Sequence, residues 1–243
     1  MRTFTFAKRC GKELLRDPLN LLFGLGFPLV LLLLLSTIQA NVPVALFEIA
    51  HLTPGITVFG LAFMTLFSAT LIAKDRESAF LQRLYTTPLT PADFILGYLL
   101  PILPLALLQC LACYILALFI GLPITPGVLY AIVGILPVAV FYVSLGLLCG
   151  SVFNVKQVGG ICGALLTNLS AWLSGVWFDL ELLGGTLTKI ARLLPFVHAV
   201  EWERALLCGN PGDALPHLIP ILGYGVIALL GAIALFLRQM KRQ

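Results

Sequence analysis

The chain has 243 residues, of which 60% are hydrophobic and 11% are charged, and its formal net charge is +4. Its mean hydropathy of +1.03 lies far above that of a soluble globular domain. These values exclude a soluble protein and predict an all-α integral membrane protein in the cell membrane. The small positive charge is explained by contact with anionic lipid and requires no nucleic acid.

The first 18 residues predict an amphipathic helix that lies along the inner membrane surface. Its apolar side chains have near-helical spacing, and basic side chains stand between them. The apolar residues are Phe4, Phe6, Ala7, Cys10, Leu14 and Leu15, and the basic ones are Lys8, Arg9, Lys12 and Arg16. Asp17-Pro18 should end this helix. A cleaved signal peptide ending at Ala40 is the alternative, but the charged region before the apolar run is long for one.

Six apolar stretches are long enough to cross a bilayer, whose hydrocarbon core of about 30 Å requires about 20 residues per helix. They are residues 19–38, 54–73, 91–118, 127–151, 158–177 and 218–237. Three of them should begin with a threonine cap followed by proline at the first helical position, at Thr53-Pro54, Thr90-Pro91 and Thr125-Pro126. We therefore expect a single transmembrane domain with six transmembrane helices.

The distribution of Lys and Arg predicts that both termini are cytoplasmic. With the N-terminus inside, only Lys189, Arg192 and Arg204 lie on the outer side. Cytoplasmic residues then include the segment 74–90, between the second and third crossings. On a helix this segment would have an apolar stripe at Phe80, Leu81, Leu84 and Tyr85 and a polar surface at Asp75, Arg76, Glu77, Gln82 and Arg83.

The fifth crossing is rich in small and polar residues, which suit either close helix packing or the lining of a transport route. These residues are Gly159, Gly160, Gly163, Asn168, Ser170 and Ser174. The sequence alone leaves both interpretations open. Apart from Asp93, in the first turn of the third crossing, the predicted crossings contain no charged residues. This argues against an ion-coupled carrier and favours an apolar or amphipathic cargo.

The outer segment 178–217 holds the nearest approach to a catalytic cluster, made of His198, Glu201, Glu203 and Arg204. One hypothesis is a membrane hydrolase that uses this cluster. The favoured interpretation is an interfacial helix with solvated charges and Trp202 at the level of the lipid headgroups. A further alternative is a membrane protein without any ATPase partner. Cys110 and Cys113 lack the His, Asp or Glu neighbours of a zinc site, so we expect the chain to bind no metal.

The stretch KDRESAFLQRLYTTPLTPADFILGY, residues 74–98, resembles the cytoplasmic signature of type 2 permeases of ATP-binding-cassette (ABC) transporters. The matching residues are Glu77, Leu81, Thr87-Pro88-Leu89 and Gly97. Ala79 and Phe80 stand where that family usually has Gly-Thr, and Tyr98 stands where Lys is usual.

A second stretch, residues 173–209, resembles the family's outer segment between the last two crossings. The matching residues are Ser174-Gly175, Phe178, Leu187, Leu193-Leu194-Pro195, His198-Ala199-Val200 and Arg204. Asp179 stands where Pro is common. With six crossings and an amphipathic start, the resemblance covers nearly the whole chain.

The resemblance implies a permease that hydrolyses nothing itself and works with a separate ATPase subunit, which would bind ATP and Mg. A coupling helix in residues 74–90 would contact that ATPase, through Asp75, Arg76, Glu77, Phe80, Leu81, Arg83, Leu84, Tyr85, Thr87 and Pro88. A second permease subunit, identical or different, would complete the pathway. The short outer helices would form a gate, through Phe178, Leu187, Pro195, His198 and Arg204, and Asn168, Ser170 and Ser174 are candidates for lining the route.

Overall fold

The computed structural model describes residues 2–42, 47–78 and 90–240, and these residues form nine helices and one 3-10 turn. The helices are α1 (Arg2–Leu15), α2 (Pro18–Asn41), α3 (Ile49–Glu77), α4 (Pro91–Ile120), α5 (Pro126–Val152), α6 (residues 155–172), α7 (Gly185–Leu193), α8 (Pro195–Leu207) and α9 (Pro211–Met240). The 3-10 turn is Leu180–Leu183. The prediction of an all-helical membrane protein is confirmed.

Five helices in the described part of the chain are long and apolar enough to cross a membrane, namely α2, α3, α4, α5 and α9. They contain five of the six predicted crossings. The remaining one, predicted at residues 158–177, corresponds to α6, in which the π-helical turns Gly159–Leu166 separate two short α-helical pieces. This helix ends at Trp172, and Gly175 adopts a positive φ of 72° in the turn that follows. The structure therefore does not confirm a six-crossing topology.

The threonine-proline prediction for helix starts is right at Thr90-Pro91 and Thr125-Pro126 and wrong at Thr53-Pro54, and the Thr125 side chain makes no capping hydrogen bond. Thr90 opens α4 with a capping box, in which its hydroxyl accepts from the Asp93 amide and the Asp93 carboxylate accepts from the Thr90 amide. α3, in contrast, begins at Ile49, so Pro54 lies inside the helix. The Thr53 hydroxyl donates to the Ile49 carbonyl at 2.6 Å instead of capping. Pro54 is the sixth residue of α3, so its missing N–H removes one backbone hydrogen bond, to the Ala50 carbonyl, and the helix continues through it.

The helix after the outer segment also begins earlier than predicted. α9 starts at Pro211, seven residues before the predicted crossing at 218–237, and continues through Pro216 and Pro220. Proline is favoured at the first position of a helix because an N–H group there would have no partner within the helix. The outer segment is correspondingly shorter than the predicted 178–217.

Helix α3 lies at the centre of the bundle, and 89% of the residues in its most apolar 18-residue stretch are buried within the chain. It packs against α4 and α5, and α5 packs in turn against α9. The approach of α5 to α3 depends on Gly146, where an added Cβ would lie 1.8 Å from the Ser68 hydroxyl oxygen. Close backbone approach through small residues is typical of membrane helix pairs. The Thr65 hydroxyl spans the same contact and donates to the Tyr142 carbonyl at 2.8 Å.

The predicted amphipathic helix is α1, and it lies against α4 and α3. Phe6, Cys10 and Leu14 are buried there, whereas Phe4 and Leu15 from the predicted apolar stripe are exposed. The break at Asp17-Pro18 is confirmed, because Pro18 opens α2 and the Asp17 side chain accepts from the Asn20 amide at 3.2 Å.

Candidate functional site

The structure describes only the beginning of the predicted coupling helix. Asp75, Arg76 and Glu77 form the last turn of α3. The other predicted contact residues lie outside the described residues: Phe80, Leu81, Arg83, Leu84, Tyr85, Thr87 and Pro88. The site can therefore be built from the two ends of this segment, at α3 and at the start of α4.

Asp75 is the centre of a buried polar cluster at the end of α3, although its side chain was predicted to be part of a polar surface. It is only 1% exposed. Arg9 of α1 donates to both of its carboxylate oxygens, at 2.5 and 2.6 Å, and the Tyr98 hydroxyl of α4 donates to it at 2.8 Å. Arg9 also pairs with Glu13 at 2.9 Å. We call Arg9, Glu13, Asp75 and Tyr98 the Asp75 cluster; it joins three helices.

The electrostatics of α1 reflect this burial. Desolvation lowers the pKa of the Arg9 guanidinium, but the hydrogen bond and the negative charge of Asp75 outweigh it, so the net shift is upward. Burial raises the pKa of the neighbouring Cys10 thiol to about 12. Arg9 is therefore held as a cation and Cys10 as a neutral thiol.

The next two residues of α3 are also bonded within the chain, to the junction between α5 and α6. Arg76 donates to the Gly150 carbonyl at 2.7 Å and to the Phe153 carbonyl at 3.2 Å. The Glu77 carboxylate accepts from the Val155 amide, in the first turn of α6, at 2.9 Å. These three residues, near the start of the predicted coupling segment 74–90, are thus connected to α1, α4, α5 and α6.

The other end of the coupling segment is held by α1. The Thr3 hydroxyl donates to the carboxylate of Asp93, which belongs to the capping box of α4. Phe6 packs edge-on against Tyr98, with ring centroids 5.0 Å apart. Gly97 makes room for this ring, since an added Cβ would lie 2.1 Å from a Phe6 ring carbon. Helix α1 therefore contacts both flanks of the segment.

At the far end of the bundle, a cavity of about 720 Å³ lies between α3, α7, α8, α9 and the 3-10 turn. It includes all three histidines of the chain. The charged and titratable residues that line it are His51, Asp179, Glu181, Arg192, His198, Glu201, Arg204 and His217. Of the predicted gate residues, His198 and Arg204 therefore share this cavity.

Arg204 is bonded on several sides. It pairs with Glu201 at 2.9 Å and donates to the Gly175 carbonyl at 3.1 Å and to Nδ1 of His51 at 3.2 Å. Burial, as the largest cause, lowers the pKa of Arg204, and the Glu201 carboxylate opposes that shift. The side chain is 12% exposed and ties α8 to α3 and to the turn after α6.

His198 does not join Glu201 in a catalytic arrangement. Its Nδ1 lies 3.0 Å from Nδ1 of His217, and its Nε2 lies 2.9 Å from the Arg192 carbonyl oxygen. Both ring nitrogens are therefore engaged with other groups, while Glu201 pairs with Arg204. This geometry does not support the hydrolase hypothesis. Within the described ranges, no three His, Cys, Asp or Glu side chains are grouped closely enough to hold a metal ion.

The prediction that α8 is a solvated interfacial helix is wrong. Trp202 is buried and donates to the Gly134 carbonyl of α5 at 2.7 Å, so it does not anchor at the headgroups. Glu203 is fully buried, with one carboxylate oxygen 3.4 Å from the Tyr114 hydroxyl and the other without a hydrogen-bond partner. Burial raises the pKa of Glu203 well above its ordinary value, because the charged form is poorly solvated there; the Tyr114 hydrogen bond acts in the opposite direction.

The burial of Glu203 follows from a pattern that was available in the sequence. Glu203 lies three residues after Val200 and four before Leu207, and both are buried on the same face of α8. This spacing places all three on one side of a helix. The charge of Glu203 by itself indicates a solvated position.

The remaining predicted gate and route residues lie in different environments. Leu187 on α7 is 50% exposed, Phe178 is partly buried and Pro195 is buried. Ser170 is buried and bonded to the Tyr142 hydroxyl at 2.6 Å, and Ser174 is buried and donates to the Ala171 carbonyl. Asn168, by contrast, is exposed. The three route candidates thus do not share one surface, and an added Cβ at Gly159 or Gly160 would meet no atom within 4 Å.

Comparison with known proteins identifies relatives along almost all of this chain. The family described as "ABC-2 type transporter" matches residues 1–207. Nodulation protein J of Bradyrhizobium diazoefficiens is 27% identical over 229 residues, which cover 94% of this chain and 86% of that protein. Nodulation protein J of Sinorhizobium fredii is 24% identical over 227 residues, covering 93% and 85% of the two chains.

Proposed function

Because this chain belongs to the ABC-2 type transporter family, we propose that it is the transmembrane permease subunit of an ABC exporter. The membrane subunits of this family have no catalytic activity of their own. ATP and Mg are accordingly assigned to a separate ATPase subunit. Two permease subunits, identical or different, form the translocation pathway.

The proposed topology has six crossings and both termini in the cytoplasm. The five long helices supply five crossings, and α6 is the sixth. A helix rises about 1.5 Å per residue, so residues 155–172 reach roughly 27 Å, close to the thickness of the hydrocarbon core. The asymmetric distribution of Lys and Arg supports the orientation. The Asp75 cluster then lies at the cytoplasmic face, and the cavity with the three histidines lies at the outer face.

The single observation that carries the coupling mechanism is that both ends of the segment 79–89 are bonded into the bundle. Asp75, Arg76 and Glu77 precede it and hold α1, α4, α5 and α6. Thr90 and Asp93 follow it and cap α4. A displacement of either end by an ATPase would therefore move several helices together.

In this mechanism the residues before and after position 78 have different roles. Asp75, Arg76 and Glu77 transmit displacement because their side chains are already engaged within the chain. Direct contact with the ATPase is assigned to the residues from Phe80 to Pro88. The outer helices α7 and α8 form the gate on the opposite side of the membrane.

Recovery of an ATPase from the native membrane tests the proposal. The tagged chain is purified in mild detergent, and co-purifying proteins are identified by mass spectrometry. Leu84→Asp should remove the ATPase, because it places a charge in the proposed apolar contact, whereas Lys189→Asp on α7 should not. Glu77 is unsuitable as the test position because its carboxylate caps α6. A folded chain that yields no ATPase, or equal recovery with both variants, would refute the proposed contact.

A further inference from the structure

Helix α1 has a second face, opposite the one that packs on the bundle. Phe6, Cys10 and Leu14 are buried against α3 and α4. On the other side of the helix lie Phe4 and Leu15, which are 74% and 68% exposed. The same side carries three exposed basic side chains, at Lys8, Lys12 and Arg16. We call these two apolar and three basic residues the exposed face of α1.

The residues of the exposed face are sorted around the helix axis. With 3.6 residues per turn, Phe4 and Leu15 lie about 20° apart, between the buried face and the basic residues. Lys8, Lys12 and Arg16 follow in steps of about 40°. A helix at a membrane surface has this order, with apolar side chains toward the acyl chains and basic ones toward the headgroups.

The charge of the exposed face is not balanced within the described residues. Glu13, the acidic residue of α1, pairs with Arg9 at 2.9 Å. No ion pair involves Lys8, Lys12 or Arg16 in the part of the chain that the structure describes. The face therefore presents three positive charges beside two exposed apolar side chains, which complements an anionic headgroup attached to acyl chains.

The apolar edge of this face continues onto the lipid-facing side of α2. Leu15 is followed, four and then three residues later, by Leu19 and Leu22, which are 62% and 63% exposed. Helix α2 is long and apolar enough to cross the membrane, and 22% of the residues in its most apolar 18-residue stretch are buried. Its exposed leucines therefore face acyl chains. Helix α1 then lies where the first crossing enters the membrane, at the level of the headgroups.

We propose that the exposed face of α1 binds anionic phospholipid of the adjacent leaflet. The two apolar side chains enter the acyl region, and the three basic side chains hold the phosphate groups. Bound lipid and the Asp75 cluster then hold α1 from two sides, since Arg9 on the same helix donates to Asp75. The assignment of this leaflet to the cytoplasmic side rests on the proposed function, but the lipid contact does not.

Fluorescence quenching by brominated lipids tests the proposal in the full chain. A fluorophore is attached at Leu15→Cys in a Cys208→Ser background, since the other cysteines are buried. The labelled chain is reconstituted in phosphatidylcholine nanodiscs that contain the same small fraction of either brominated phosphatidylglycerol or brominated phosphatidylcholine. Because bromine quenches only at close range, the ratio of the two signals reports which lipid lies beside α1.

The expected preference follows from the charge of the face. One Lys or Arg near an anionic surface contributes about 1 kcal/mol, which is a factor of about 5 in local lipid concentration. Brominated phosphatidylglycerol should therefore quench at least about fivefold more strongly than brominated phosphatidylcholine. Salt at about 1 M shortens the screening length to about 3 Å and should remove most of this difference.

Two variants with the same change in net charge locate the lipid contact. The first neutralises the exposed face of α1, through Lys8→Gln, Lys12→Gln and Arg16→Gln. The second removes three exposed cations on other helices, through Lys156→Gln, Lys189→Gln and Arg238→Gln. The first variant should be quenched equally by the two lipids, and the second should keep the preference of the parent chain.

Equal quenching by the two lipids in the parent chain would overturn the proposal, as would a preference that the first variant retains. A label that aqueous iodide quenches and neither lipid does would show a solvated face, which also overturns it. Loss of the ATPase from the first variant in the pull-down, together with equal lipid quenching in the parent chain, would assign this face to the ATPase instead. The quenching experiment involves no ATPase and no cargo, so its failure is distinguishable from failure of the proposed permease function, which Leu84→Asp tests.

Discussion

Asp75→Asn should detach the N-terminal helix from the bundle. The wild-type carboxylate accepts three hydrogen bonds, two from Arg9 and one from Tyr98, and is 1% exposed. Removing one partner of a buried ion pair costs about 3–5 kcal/mol. The Arg9 side chain is 36% exposed and keeps Glu13 at 2.9 Å, so solvent and this second partner reduce the cost to about 2 kcal/mol. A loss of this size raises the open population of α1 about 30-fold.

Cys10 provides the assay for this opening. It lies on the buried face of α1, is 0% exposed, and burial raises its thiol pKa to about 12. At neutral pH it should therefore react with a maleimide only when α1 is detached. With Cys208→Ser as background and excess reagent, the labelling rate at Cys10, located by mass spectrometry, reports the open population. Asp75→Asn should label about 30-fold faster than the parent.

Glu13→Gln is the matched control because it removes the other carboxylate that contacts Arg9. Glu13 is 35% exposed and pairs with Arg9 at helical i,i+4 spacing. Such pairs contribute about 0.5 kcal/mol or less, so labelling should change by no more than roughly twofold. Equal rates for Asp75→Asn and Glu13→Gln would refute the conclusion that the Asp75 cluster holds α1 in place.

Three further outcomes are expected. Gly146→Ala should lower the free energy of unfolding by about 1–3 kcal/mol, because the added Cβ would lie 1.8 Å from the Ser68 hydroxyl oxygen. Gly223→Ala on α9 is the control and should be neutral or slightly stabilising, because an added Cβ there would meet no atom within 4 Å. Similar shifts in melting temperature for both variants would contradict this packing. Because the folded-state pKa of Glu203 is raised, the native chain should lose stability as pH rises from the ordinary carboxyl pKa towards the raised value. Glu203→Gln should not show this loss. Melting curves over a pH series test the difference, and parallel changes in the two proteins would contradict a buried carboxyl at this position. Cys208 is the exposed cysteine among the described residues, so a membrane-impermeant maleimide should label it on intact cells, and labelling only after the membrane is opened would reverse the proposed orientation.

The sequence identified features whose cause is local. The Thr90 cap, the break at Asp17-Pro18 and the amphipathic character of α1 depend on neighbouring residues, and all three are present in the structure. The start of α3 was misplaced because a threonine-proline pair also fits inside a helix near its beginning. The threonine hydroxyl then bonds to the preceding turn, as Thr53 does with Ile49.

The features that the sequence did not reveal depend on contacts between distant residues. The charge of Asp75 suggested a solvated surface, and only the fold brings Arg9 and Tyr98 to it. Similarly, nothing in the spacing of His51, His198 and His217 indicates one cavity, because they belong to three different helices. The family resemblance, by contrast, came from ordered motifs along the chain, and the family match over residues 1–207 confirms it.

Photocrosslinking from position 84 tests the central claim most directly. A benzophenone amino acid replaces Leu84 in the native membrane, and a second chain carries it at Lys189 as the control. The adduct formed at position 84 should contain an ATPase with a phosphate-binding loop, and the adduct at position 189 should not. Adducts at position 84 that contain only lipid or this same chain, in a folded protein, would contradict the assignment of residues 79–89 as the ATPase contact.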